Sequence, residues 1–126
     1  MNFLKPFLLA TCLLSASHVS AQSLTGPQRN AVRSAESYLS FTGFSRAGLI
    51  RQLSSAYGDG YSVDDATIAV NSLAVDWNQQ AARSAKQYLE MMGFSCSGLI
   101  AQLSSDAGEQ YTQSEARHGA QVAGAC

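Results

Sequence analysis

Positive charge is scarce: the 126 residues hold eight Lys and Arg against nine Asp and Glu. No basic stripe interrupts the sequence. Phosphate binding runs on clustered Lys and Arg, so nucleic acid is not an expected partner. Histidine is scarcer still. Beyond residue 21 the sequence has one, His118. Serines are plentiful, but a nucleophile needs a base, and His118 reads better as a surface or half-buried helix residue. No His/Cys cluster has ligand spacing, and Asp59, Asp64 and Asp65 lack the alternating oxygen donors of a calcium loop. The glycines match no phosphate-binding fingerprint. No enzyme chemistry, metal or cofactor is therefore expected. Sustained period-two alternation is missing, which argues against strands. Proline-rich linkers and low-complexity stretches are missing too.

The first residues read as a targeting segment. Lys5 precedes an apolar run over residues 6–14, and the small and turn-forming residues 15–21 end in Val19-Ser20-Ala21. This is the pattern of a secretory signal peptide cut after Ala21, giving residues 1–21 as signal. The apolar run falls short of the roughly 20 residues that a membrane-spanning helix requires. A lipid anchor on Cys12 is the alternative. Leu9-Ala10-Thr11-Cys12 approaches such a signal, but Thr11 is larger than the Gly, Ala or Ser expected before that cysteine. The mature protein is expected outside the cytoplasmic membrane, periplasmic or secreted, with no transmembrane segment.

What fills the remaining chain is one segment written twice. Residues 27–76 and 77–126 align without a gap at a constant offset of 50, with 19 identities. Arg33-Ser34-Ala35 returns as Arg83-Ser84-Ala85, and Gly43-Phe44-Ser45 as Gly93-Phe94-Ser95. Gly48-Leu49-Ile50 returns as Gly98-Leu99-Ile100, and Gln52-Leu53-Ser54-Ser55 as Gln102-Leu103-Ser104-Ser105. A period this long in only two copies points to paired small units rather than a solenoid. The expected domains are a first repeat over residues 22–75 and a second over 76–126.

Each copy reads as three helices, so the expected fold is all-α. Thr25, Pro27 and Gln28 make a helix start with a capping box. Ala31, Ala35, Tyr38 and Leu39 follow at helical spacing. Gly43 is expected to end this helix with positive φ. Ser45 caps a short second helix, and Gly58-Asp59-Gly60 is a turn. Ser62 and Asp65 open the third. In the second copy Asp76 with Gln79, and Thr112 with Glu115, take the capping roles. Between Gly60 and Gly93 there is neither Gly nor Pro. The third helix of copy one is thus expected to run toward the first helix of copy two, broken or bent near Asp76. Tyr38/Tyr88, Leu39/Leu89, Phe44/Phe94, Leu49/Leu99, Ile50/Ile100 and Leu53/Leu103 are the expected core. Gln52/Gln102 and the paired serines either bond to the following turn or lie on a shared contact face.

Half of a 105-residue chain is small for an independent core. A staple between Cys96 and Cys126 would help, and an oxidising compartment favours that disulfide over two free buried thiols. Their counterparts in copy one, Arg46 and Asp76, could join the same two places by charge.

The ordered motifs Tyr-Leu, Gly-Phe-Ser, Gly-Leu-Ile-x-Gln-Leu-Ser-Ser and Gly-x-x-Tyr-[Ser/Thr] occur twice, and Asp76-Trp77-Asn78 opens the second copy. Over residues 27–126 this resembles the host cell surface-exposed lipoprotein (Ltp) family. The resemblance implies tandem helix-turn-helix-like domains that do not bind DNA. It also implies superinfection exclusion, in which injection of incoming phage DNA is blocked by engaging the phage tape measure protein. The cleavable signal and the cysteine pair depart from the family pattern. An exported structural or host-interaction protein with no phage role is the alternative. Under either reading, Asp64, Asp65, Asp106, Glu109 and Glu115 are candidates for partner binding. The competing role for them is helix capping and solubility.

Overall fold

A computed structural model describes residues 23–126, so the signal peptide and Cys12 fall outside the described residues. Six helices and no strand occur among them. They are α1 (Gly26–Phe41), α2 (Arg46–Ser54), α3 (Val63–Ser72), α4 (Trp77–Met91), α5 (Cys96–Ser104) and α6 (Gln113–Val122). Each copy contributes three.

The caps follow from the local sequence. Thr25 and Gln28 form a full capping box on α1, and Thr112 and Glu115 form one on α6. Ser45, Ser62, Asp76 and Ser95 each accept from the backbone N–H three residues on. A short side-chain acceptor satisfies a donor that the helix itself leaves free.

Two cores segregate by copy. In the first, Leu49, Leu53, Ala35, Ala66 and Val70 are buried; in the second, Leu99, Leu103, Ala81, Ala85, Tyr111, Ala116 and Ala120. Alanines on α1 and α4 let the third helix of each copy approach closely. Tyr38, Leu39, Phe44 and Ile50 and their counterparts are only half-buried and pack around these centres. The expected core therefore holds as neighbours, with the leucines of α2 and α5 as its fully buried members. Trp77 is an exception to the segregation: it opens α4 yet packs against the first core.

Two expectations need correction. Gly43 does not end α1 with positive φ. The cap is Thr42, in extended conformation, and the positive-φ glycines among the described residues are Gly60 and Gly124. Gly43 is needed for space instead: a Cβ there would press on Ser84 Oγ and lie 2.8 Å from the Gln80 carbonyl oxygen. Second, Arg46 does not pair with Asp76. Its guanidinium donates to Asn71 Oδ1 at 2.8 and 2.6 Å, and the Asp76 carboxylate accepts from Gln79 N. The break expected near Asp76 is present, and α3 and α4 are separate helices. Residues 73–76 separate them, because Asp76 competes as a cap and Leu73 leaves α3 in extended conformation.

The Sγ atoms of Cys96 and Cys126 stand 2.17 Å apart, at disulfide distance, across a sequence separation of 30. This places the last residue of the chain against the start of α5.

Candidate functional site

The junction of the two copies is built by side chains of α4 reaching the corner that follows α1. Arg83 donates to the carbonyls of Leu39 and Ser40, the orphan acceptors at the C-terminal end of α1. Gln87 Oε1 accepts from Thr42 Oγ1 at 2.8 Å and from Gly43 N at 3.2 Å. Gln80 Oε1 accepts weakly from Phe44 N at 3.4 Å. On the other side, Ser45 Oγ donates to the Glu109 carbonyl, and Arg51 reaches the carbonyls of Asp106 and Gly108 at 3.2 and 3.3 Å. The turn before α6 is thereby held on α2.

A cleft of about 630 Å³ opens along this junction. Gly43, Phe44, Tyr88, Met91 and Glu109 are among its walls. Tyr88 is one of its polar lining residues. Tyr88 donates to Glu109 Oε1 at 2.5 Å and accepts from Gln102 Nε2 at 3.2 Å. Burial, with the hydrogen bond to Glu109 next, pushes its pKa up to about 12. The Tyr88 ring meets Phe94 edge to face, centroids 5.6 Å apart.

Copy one holds the same trio. Tyr38 donates to Asp59 Oδ1 at 2.7 Å, accepts from Gln52 Nε2 at 3.3 Å, and meets Phe44 edge to face. Its phenol is also raised, chiefly by the bond to Asp59. These bonds give Gln52 and Gln102 their role: they orient tyrosines on the neighbouring helix. Ser54 and Ser104 bond back to the carbonyls of Ile50 and Ile100, whereas Ser55 and Ser105 accept from the following turn.

The tyrosines of the two trios stay protonated and donate at neutral pH. His118 is exposed on α6, and no group of three His, Cys, Asp or Glu among the described residues could hold a metal ion. No helix among them is long and apolar enough to cross a membrane.

The five candidate acids do not form one cluster. Asp64 and Asp65 open α3 in copy one. Asp106 and Glu109 lie in the turn before α6, and Glu115 opens α6. Three are engaged locally: Asp65 accepts from Gln28 Nε2, Glu109 from Tyr88, and Glu115 from Thr112 N. Asp64 and Asp106 are exposed, without a side-chain hydrogen bond to the described residues. Sequence reading missed Gln80, Arg83 and Gln87 as junction residues. Arg83 had left a signal, because an arginine kept in both copies of a charge-poor chain is conspicuous. Gln80 and Gln87 had left none, since Asn30 and Ser37 stand at their counterparts.

No curated protein sequence matches the chain. Among solved structures, that of Ltp, a superinfection exclusion protein from the Streptococcus thermophilus temperate phage TP-J34, is similar with a TM-score of 0.70 and 33% identity. The match covers 79% of this chain and 97% of that one. The family model described as host cell surface-exposed lipoprotein matches residues 27–73 and 76–121, once for each copy. By that double match, this chain belongs to the host cell surface-exposed lipoprotein family.

Proposed function

We propose that the chain is an exported, non-enzymatic binding protein that excludes superinfecting phage. In this reading it acts outside the cytoplasmic membrane and blocks DNA injection by engaging a phage protein delivered with the DNA, the tape measure protein. The observation that carries the reading is its similarity, at 33% identity, to a phage superinfection exclusion protein over 97% of that protein's chain. The junction chemistry supports binding over catalysis, because its polar groups are hydrogen-bond donors and acceptors locked by neighbours.

Asp64 and Asp106 are the acids free to meet Lys or Arg on such a partner. Contacts of this kind weaken with salt. Asp65, Glu109 and Glu115 serve the fold first, so replacing them would confound a binding test. The experiment is phage plating on cells that express the protein, compared with cells expressing the Asp64→Asn, Asp106→Asn double variant. Protection by the natural protein, reduced in the variant at an unchanged melting temperature, is the expected result. Full protection by the variant removes this surface from the reading. Failure of the natural protein to protect against a broad phage panel removes exclusion itself.

A further inference from the structure

We propose that the corner of residues 89–95 is a docking surface for the α1 face of a second copy of this chain, so that molecules join head to tail. The chain already contains one such interface, between its two copies. Copy one offers its corner to the α4 face, and copy two carries the same corner with its Gly93 and Ser95 exposed among the described residues.

The exposed corner of copy two repeats features that copy one uses at its covered corner. Gly43 is buried because α4 crosses it. Gly93, its counterpart, is exposed, has no positive φ, and would have nothing within 4 Å of a Cβ. Ser45 is buried and spans the junction to Glu109; Ser95 caps α5 but is exposed. The carbonyls of Leu39 and Ser40 receive Arg83. Those of Leu89 and Glu90 receive no side-chain donor among the described residues.

The complementary face is exposed at the other end. Arg33, the counterpart of Arg83, is exposed and turns to Asn30 on its own helix. Asn30 and Ser37, in the places of Gln80 and Gln87, are exposed as well. The sizes are exchanged in a matching way. Inside the chain a small Thr42 meets a long Gln87. Between copies a long Met92, 58% exposed, would meet a small Ser37. Arg33 of the second copy would then donate to the Leu89 and Glu90 carbonyls.

Two differences make this contact weaker than the internal one. Ala101 replaces Arg51, so the clamp on the turn is missing. The covalent link between α3 and α4, which supplies a high effective concentration, is also missing. A contact between unlike surfaces does not close on itself at two copies.

Sedimentation equilibrium on the natural, oxidised protein from about 10 µM to about 1 mM tests this, a range suited to weak association. The weight-average mass should climb with concentration and pass two copies without a plateau. Gly93→Leu spoils the corner and Arg33→Glu spoils the α1 face. Both lie on exposed surface, so each should fold without a marked drop in its circular dichroism melt and stay monomeric. Mixed one to one, the two variants retain one intact face each and should form a dimer that grows no further. A natural protein that is monomeric throughout overturns the proposal. So does association by either variant as strong as that of the natural protein, or a mixture that stays monomeric while the natural protein associates.

Discussion

Replacing Gly43 with Ala should damage the protein, and the same change at Gly93 should not. Neither glycine has positive φ, so an L side chain is tolerated by the backbone at both. The two positions differ in what surrounds them. A Cβ on residue 43 would crowd Ser84 Oγ and come within 2.8 Å of the Gln80 carbonyl and 2.9 Å of Ser84 N. Two of those three atoms are α4 backbone, so relief requires the copies to move apart. Overpacking of this kind costs about 1–3 kcal/mol. At residue 93 the new methyl meets nothing within 4 Å. There the loss of freedom in the unfolded chain stabilises by about 0.4–1 kcal/mol. That unfolded-state gain applies at both sites, so the difference between the variants isolates the junction. At about 4 °C per kcal/mol for a chain near this size, Gly43→Ala should melt roughly 4–12 °C below Gly93→Ala. Circular dichroism and the fluorescence of Trp77, the single tryptophan, follow the transition in dilute protein. Equal melting temperatures would refute the account of why Gly43 is a glycine.

Other outcomes follow from single residues. Gln110 has φ of 60°, where Gly60 in copy one has 71°, and its Oε1 is buried without a hydrogen-bond partner among the described residues. Left-handed backbone costs a non-glycine residue about 1–2 kcal/mol, offset partly by the roughly 0.5–1 kcal/mol of freedom a glycine gains on unfolding, so Gln110→Gly should raise the urea midpoint. Cys96→Ser should cost about 3–4 kcal/mol by the loop-entropy argument, and alkylation with intact-mass analysis should find no free thiol in the unreduced natural protein. Two alkylatable thiols there would remove the bridge. Tyr88, raised to about 12, holds its proton in the folded state after an unfolded tyrosine has lost it near 10. Its stabilising contribution is thus complete below about pH 10 and lost as pH rises through about 12, so the melting temperature should fall across that window. Tyr88→Phe should flatten the fall, measured by melts at alkaline pH against the natural protein.

The helices were legible because their signals are local. Thr25 with Gln28, and Thr112 with Glu115, announce starts within four residues, and the alanines of α1 and α4 mark a buried stripe by spacing alone. The family was legible through ordered motifs present twice. What sequence could not supply was any relation between copies. Gly43 reads as a helix terminator in isolation and becomes a contact point only once α4 lies across it. Arg46 and Asp76 looked complementary by analogy with Cys96 and Cys126, yet Asn71 is nearer and Asp76 has a cap to fill. Tyr38 and Tyr88 read as apolar bulk, because the acid and the glutamine that hold each hydroxyl are 21 and 14 residues away. The five acids read as one surface because sequence lists charges without saying which are already engaged.

Trp77 couples the two copies. It starts the second copy but fills out the core of the first, while Arg83 and Gln87 on the same helix hold the corner of the first. Melting copy two would strip copy one of a large apolar side chain and of donors to its helix end. Melting copy one would leave Ser84, now buried, facing water. Nearest-neighbour coupling of this kind favours a single cooperative transition over two independent ones. A fragment ending at residue 75 is accordingly less than half a protein. It carries three helices but leaves behind the side chain that closes their core.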